Sequence, residues 1–258
     1  NLPDPQPAPR RLQHFQDTGA IVYRDNERGI LFSARCGPPQ GFTAHRNTTC
    51  CCDRLTFCPV SGTFALAKHG LPLIQNAEGG YKMRTELGNV VLVDGRGQLG
   101  DHAAPMSCPD APYGGEHIVE ASYDPKTGHG HVQMQLARAY DPELGITGYT
   151  REFVFEPDGR IQLVDTIAAN QPRRFTWLFH SFKSHPITGT GNGAFTIQNK
   201  NERLRLDLAQ SSSSLRHAIK DTLVVWAYIN ENEGEMFQQL EFETESPVRQ
   251  VRVEFVLS

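Results

Sequence analysis

The sequence of 258 residues lacks several features that would assign it to a particular class of protein. No uninterrupted run of about 18 apolar residues occurs, so no segment has the pattern of a membrane-spanning helix. The chain has no excess of positive charge, because it contains 25 Lys and Arg and 29 Asp and Glu, which gives a net charge of −4. This balance argues against a nucleic-acid binder that relies on a broad positive field.

The chain also lacks an initial methionine and a leader pattern of basic residues followed by a short apolar segment. We therefore expect a mature processed chain or an excised piece of a longer one. Long amphipathic helical patterns are missing as well. Hydrophobic residues make up 38% of the chain and charged residues 21%, values typical of a soluble protein that buries a large core.

Short apolar stretches separated by turn residues fill the sequence instead. The turn triplet Pro157-Asp158-Gly159 separates two such stretches and predicts a β-hairpin. Residues 203–208 and 248–257 alternate apolar and charged side chains with the period of a strand. These patterns predict an all-β protein, a large antiparallel β-sandwich of the supersandwich type, over residues 15–258, after a proline-rich tail or linker over residues 1–14.

Cysteines are present in an even number, six, and five of them lie within one short segment. This pattern favours disulfides and an oxidising, secreted or extracytoplasmic location, although free thiols and a zinc site including His45 and Asp53 stay open as alternatives. Asn47 begins an Asn-Thr-Thr sequon, which fits a glycosylated loop. The disulfide candidates are Cys36, Cys50, Cys51, Cys52, Cys58 and Cys108.

The most informative stretch covers residues 79–101. Its centre, residues 90–93, reads Val-Val-Leu-Val and predicts a buried strand, which ends at the turn Asp94-Gly95-Arg96-Gly97. The residues on both sides are polar, as in a binding surface built on a rigid strand, although an ordinary core strand with a solvated hairpin would look similar. The polar residues are Tyr81, Lys82, Arg84, Asn89, Asp94, Arg96 and Gln98.

This stretch resembles the signature of heparinase II/III-like polysaccharide lyases, which lies in their carboxyl-terminal β-sandwich. The start of the chain and the stretches 148–153, 162–165 and 177–180 follow the same family's order. The resemblance therefore covers nearly the whole chain as one domain. The signature residues that match are Asn89, Val91, Leu92, Val93, Asp94, Gly95 and Gln98.

The resemblance implies a function connected with β-elimination in uronate-containing polysaccharides. In that family a helical toroid supplies most of the catalytic groups, and no toroid pattern exists here, so we expect any toroid to be a separate chain. The family's metal-ligand positions are occupied here by Cys58, Val60 and Gly88. Because valine and glycine side chains cannot coordinate a metal, we expect no metal cofactor.

Candidate site residues follow from the signature and from the later strands. For substrate binding they are Tyr81, Lys82, Arg84, Asn89, Arg96, Gln98 and Arg151. Tyr149 and His180 are weak catalytic candidates, because phenol and imidazole groups can transfer protons. Each of these residues also has a purely structural interpretation, as a satisfied amide, a solvated charge or a core side chain.

Two hypotheses of different classes remain. In the first, the chain is a lyase-like domain that binds acidic polysaccharide and supports β-elimination only with a toroid partner. In the second, it is a secreted carbohydrate-binding or structural protein derived from the lyase fold, without catalysis. Association with a second copy of the chain is compatible with both.

Overall fold

Strands form nearly all of the regular structure in the computed structural model, which describes residues 10–38, 41–47, 59–77, 84–102, 113–191, 193–225 and 234–258. The first sheet has five strands in sequential order. They are β1 (Arg10–Phe15), β2 (Ala20–Asp25), β3 (Ile30–Arg35), β4 (Phe64–Lys68) and β5 (Leu71–Ile74). A short helix, α1 (Phe42–Asn47), lies between β3 and β4 in the chain.

The rest of the chain forms two further antiparallel sheets. The strands are β6 (Val91–Val93), β7 (His117–Tyr123), β8 (Gly130–Gln135), β9 (Ile146–Phe155), β10 (Ile161–Arg173), β11 (Phe175–Phe182), β12 (Ile187–Gly191), β13 (Ala194–Asn199), β14 (Glu202–Ser211), β15 (Leu215–Val225), β16 (Gly234–Thr244) and β17 (Val248–Leu257). Eight of them form a sheet in the order β12-β13-β14-β17-β10-β9-β8-β7, and four form a sheet in the order β15-β16-β11-β6. Three turns of 3₁₀ helix cover Thr85–Leu87, Ala137–Ala139 and Pro142–Leu144.

Aromatic side chains join the three sheets in one core. Phe32 of the five-stranded sheet contacts Phe153 of the eight-stranded sheet, with ring centroids 4.9 Å apart. Phe179 of the four-stranded sheet contacts Phe255 of the eight-stranded sheet at the same separation, 4.9 Å. Each fully buried side chain of this size stabilises the fold by about 1.5–3 kcal/mol. The eight-stranded sheet therefore packs against both smaller sheets.

The all-β antiparallel architecture predicted from the sequence is confirmed. The described residues contain no helical toroid and no helix long and apolar enough to cross a membrane. The predicted hairpin joins β9 to β10, and Val251, Val253, Phe255 and Leu257 are buried on one side of β17. β1 begins at Arg10, within the stretch 1–14 that the sequence predicts as a tail or linker. There Arg10 lies 3.1 Å from the buried carboxylate of Asp25.

The signature strand is shorter than its apolar sequence indicates. β6 lies at one edge of the four-stranded sheet and pairs with β11, so that Val93 faces Phe175. Asp94 and Gly95 follow with φ of 51° and 74°, the left-handed values that a two-residue hairpin turn requires. Backbone hydrogen bonds between Val93 and Arg96 close this turn, as the sequence predicts. The turn carries Arg96 to the protein surface immediately after the strand.

Candidate functional site

Arg151 lies in the interior, where four hydrogen bonds satisfy its guanidinium. Its Nε and Nη2 donate to the two carboxylate oxygens of Asp165 at 2.9 and 2.7 Å. Its Nη1 donates to the backbone oxygens of Gly62 and Asn89 at 2.7 and 2.8 Å. Burial alone would lower the pKa of Arg151, but Asp165 beside it raises that pKa above its ordinary value. Arg151 therefore fastens two loops to the eight-stranded sheet.

Asn89, the first signature residue, is fully buried next to these groups. Its Nδ2 donates to the backbone oxygen of Phe64 at 2.7 Å, and its Oδ1 accepts from the backbone N–H of His180, also at 2.7 Å. Asn76 adds an acceptor 3.2 Å from Nδ2. Asn89 thus ties β4 to β11, and its amide is committed to the protein rather than exposed to a ligand.

The two weak catalytic candidates are also interior groups. His180 is fully buried, and this burial lowers its pKa to about 4, so the ring is neutral at neutral pH. Its Nε2 lies 3.0 Å from Oε1 of Gln239. Tyr149 is 2% exposed, and burial raises its pKa well above the ordinary value. A polymeric substrate could reach either ring only if the sheets separated.

Gln98 is buried too and holds the loop that precedes β4. Its Oε1 accepts from the backbone N–H of Ser61 and its Nε2 donates to the backbone oxygen of Ser61, both at 2.7 Å. Asp101 accepts from the backbone N–H of Thr85 at 2.8 Å and from that of Gly97 at 3.1 Å. These bonds make residues 84–102, which we call the signature loop, a closely connected unit.

Two arginines of the signature loop are exposed. The Arg96 side chain has 51% of its surface accessible and lies 3.3 Å from Asp141 and 3.8 Å from Glu143. The Arg84 side chain is 37% accessible and lies 2.8 Å from Glu86. Next to Arg96 is an open concavity of about 370 Å³, lined by Gln98, His102, Asp141 and neighbouring loop residues. Among the described candidates, these arginines are the ones that a large ligand can contact.

Several predicted residues lie outside the described part of the chain. They are Tyr81, Lys82, Cys50, Cys51, Cys52, Cys58 and Cys108, together with Asp53 of the alternative zinc site. Cys36 is described, and it carries a buried free thiol with Sγ 3.9 Å from the backbone oxygen of Gln135. The structure therefore gives Cys36 a packed position and no disulfide. Asn47, the glycosylation candidate, is the last residue of α1.

Val60 and Gly88 pack directly against each other at two of the family's metal-ligand positions. A Cβ atom added to Gly88 would lie 2.6 Å from Cγ1 of Val60, which is too close for any side chain without movement. Within the described ranges, no three His, Cys, Asp or Glu side chains are grouped so that they could hold a metal ion. The absence of a metal cofactor stays a prediction, and the packing of Val60 gives it a physical basis.

Some residues of the network were not singled out in the sequence. Asp165, Thr63, Asn76 and Ser61 all serve as hydrogen-bond partners of the predicted residues. Asp165 could have been found from the sequence, because the hairpin centred on Asp158 places Asp165 opposite Arg151. The others lie far from their partners in sequence, and no local pattern marks them.

Solved structures that are similar in fold to this chain include polysaccharide lyases. The chain superposes on a heparinase III with a TM-score of 0.70 and 11% identity, covering 96% of this chain and 36% of that one. It matches a heparan sulfate lyase from Pedobacter heparinus with a TM-score of 0.68 and 11% identity, covering 95% and 36% of the two chains. It matches a chondroitin AC lyase from Streptomyces coelicolor A3 with a TM-score of 0.56 and 12% identity, covering 98% and 33%.

The matched region of these enzymes is their carboxyl-terminal β-sandwich, as the signature predicts. The chain spans about a third of the length of the structures it matches. At these identities the likeness establishes the fold alone. No protein-family model matches the sequence, and no curated protein matches it.

Proposed function

We propose that this lyase-like β-sandwich binds acidic, uronate-containing polysaccharide through the signature loop. The observation that carries the proposal is the exposure of Arg84 and Arg96 on a loop whose shape is held by hydrogen bonds of Gln98 and Asp101. The fold supports it, because the matched structures are lyases named for heparin, heparan sulfate and chondroitin, which are acidic polysaccharides. Tyr81 and Lys82 lie outside the described residues and stay predicted substrate-binding residues.

Arg96 is suited to the exchange of one anion for another. Its guanidinium can donate two parallel hydrogen bonds to a carboxylate or a sulfate. Its present partners, Asp141 and Glu143, form exposed ion pairs, and pairs of this kind contribute little to stability. A uronate can therefore replace Asp141 at small cost, while the closed turn keeps the arginine backbone in place.

Catalysis is proposed to require a helical toroid as a partner. β-Elimination needs donors that neutralise the uronate carboxylate and a group that removes the neighbouring proton. In this chain the two predicted proton-transfer groups, Tyr149 and His180, are buried and engaged in packing. At the signature loop the described surface offers arginines for binding, while Tyr149 and His180 lie inside the protein, so a partner would have to supply the groups that transfer the proton.

A purely binding or structural role is the second candidate. It is favoured by the contact between Val60 and Gly88, which fills two family ligand positions with apolar packing. Both candidates place the protein where acidic polysaccharides occur, outside the cytoplasm, and both allow a homo-oligomer. They differ in whether cleavage follows binding.

The test measures binding and cleavage separately. Calorimetry of the chain with heparan sulfate should give saturable binding that weakens as salt rises, because exposed charges are screened. Neutral dextran of equal length is the control and should not bind. Formation of unsaturated uronate should be undetectable with the chain alone and should appear when a lyase toroid is added. Absence of heparan sulfate binding at low salt contradicts the proposal, and cleavage by the chain alone contradicts the requirement for a toroid.

A further inference from the structure

A second groove differs in chemistry from the concavity next to Arg96. It has a volume of about 650 Å³ and runs between the turn after β1, the first residue of α1 and the edge strand β7. Its walls combine rings with neutral or acidic polar groups, and its described lining contains no lysine or arginine. The residues used below are His14, Gln16, Phe42, Tyr113, His117 and Glu120.

The aromatic wall is fixed before any ligand arrives. Tyr113 packs edge to face against Phe42, with centroids 5.9 Å apart, and against His45 at 4.9 Å. Asp17 holds α1 in place, since its backbone oxygen accepts from Phe42 N–H and its carboxylate accepts from Thr43 N–H, both at 2.7 Å. A ligand that stacks on a fixed ring loses less free energy to ordering than one that stacks on a mobile ring.

The distribution of groups around the groove matches a pyranose ring. One face of a pyranose presents C–H groups that pack on an aromatic ring, and its rim presents hydroxyls that donate and accept hydrogen bonds. Gln16, His117 and Glu120 supply both donors and acceptors. The groove volume lies within the range of small-ligand sites, about 300–1,000 Å³. Without a cation on the described walls, the groove favours a neutral sugar over a sulfated one.

A short hydrogen-bonded bridge connects this groove to the signature loop. Gln98 lines the concavity beside Arg96 and is bonded to Ser61. Ser61 Oγ donates to Glu116 Oε1 at 3.0 Å, and Glu116 Oε2 accepts from Gly114 N–H at 3.1 Å, next to Tyr113. Glu116 is 5% exposed, so it belongs to the bridge rather than to either surface. Hydrogen bonds thus link the backbone that supports the two concavities.

We propose that the groove at Tyr113 is a second sugar subsite, which binds a neutral pyranose unit of the polysaccharide whose acidic units contact Arg84 and Arg96. The inference rests on the proposed function for the identity of the polymer. One chain would then contact the protein at a cationic point and at an aromatic point. Joining two contacts in one ligand raises the overall affinity above that of either alone.

Amide chemical-shift titrations with two probes test the subsite. The first probe is a heparan sulfate octasaccharide, and the second is the same octasaccharide after desulfation, N-acetylation and carboxyl reduction, which makes it neutral. The neutral probe should shift the amides of residues 14–19 and 113–121, and the acidic probe should also shift those of residues 94–102. His117→Ala should weaken binding of the neutral probe about fivefold, whereas His129→Ala, at the other end of the β7–β8 hairpin, should leave it unchanged.

Tyr113 provides a second comparison that separates ring stacking from folding. Tyr113→Ala should weaken binding of the neutral probe about tenfold, and Tyr113→Phe, which retains the ring, should change it less than about twofold. If the acidic probe shifts only residues 94–102 and the neutral probe does not bind, the subsite is overturned and the proposed function stands. If only the neutral probe binds, the groove binds sugar, and the proposal that the protein binds acidic polysaccharide is overturned. If neither probe binds, both are overturned.

Discussion

Arg151 and Asp165 form a two-point ion pair in the interior of the sandwich, with 2% and 0% of their side-chain surfaces exposed. Trp177 Nε1 adds a hydrogen bond to the same carboxylate at 2.8 Å. The guanidinium extends from this pair to the backbone oxygens of Gly62 and Asn89. A single charged pair therefore positions the loop before β4 and the start of the signature strand.

Removing one charge of this pair should destabilise the protein strongly. Asp165→Asn leaves Arg151 buried without a counter-charge, and we expect the free energy of unfolding to fall by about 3–5 kcal/mol. Asp158→Asn, in the exposed pair with Arg160 at the turn of the same hairpin, is the matched control and should change the free energy of unfolding by less than about 1 kcal/mol. Urea unfolding of the three proteins measures both effects, and equal losses in the two variants would contradict the role given to Arg151.

The sequence predicts this pair in part. The Pro157-Asp158-Gly159 turn sets the register of β9 and β10, so Phe155 faces Ile161 and, further along, Arg151 faces Asp165. The local sequence does not show that the pair is buried, because the loop that covers it contains Gly62, which is 89 positions from Arg151. For that reason Arg151 was a reasonable ligand candidate from the sequence, although its guanidinium is satisfied inside the protein.

The difference between local register and long-range burial also explains which of the other candidate residues are exposed. Arg96 follows a two-residue turn that is visible in the sequence, so its exposure could be predicted. Asn89 and Gln98 are polar residues beside the same strand, and yet both are buried. Their partners are Phe64, the first residue of β4, and Ser61, in the loop before β4, and long-range packing places both. Patterns of period two locate strands, but they do not show which loop covers a strand end.

Gly88→Ala should be destabilising because of Val60 specifically. The added methyl group would lie 2.6 Å from Cγ1 of Val60, and overpacking of this kind costs about 1–3 kcal/mol. Val60→Ala in the same chain opens the space, so the double variant should be more stable than the sum of the two single effects predicts. Gly148→Ala is the control, because its nearest neighbour, the Cβ of Ala168, lies at 4.0 Å. Additive effects in thermal unfolding would show that Val60 and Gly88 do not share this space.

His180 should make stability depend on pH. Burial lowers its folded-state pKa from 6.5 to about 4, so the unfolded chain binds more protons than the folded protein between these values. The free energy of unfolding should therefore be highest above pH 6.5 and should fall as the pH falls toward 4. The total loss over this range is about 3 kcal/mol. His180→Gln has no imidazole to titrate, and its unfolding free energy should decline less steeply over this range. Parallel pH profiles for the two proteins would exclude His180 as the cause.

The thiol of Cys36 should react only after unfolding. It is buried, and that burial raises its pKa well above the ordinary value, so the reactive thiolate is scarce. Mass spectrometry after iodoacetamide treatment should show Cys36 unlabelled in the native protein and labelled in denaturant without reductant. With Cys36 free, five of the six cysteines remain, so they cannot all pair within one chain. Recovery of Cys36 in a disulfide-linked peptide would contradict the structure.

The affinity of Arg96→Ala for heparan sulfate tests the central proposal most directly. Arg203→Ala removes the same charge from an exposed position of strand β14, outside the signature loop, and is the control. Both variants should unfold like the parent protein. We predict that Arg96→Ala weakens binding about tenfold at low salt and reduces its salt dependence, whereas Arg203→Ala changes it less than about twofold. Equal affinities of the two variants would show that the signature loop is not where the polysaccharide binds.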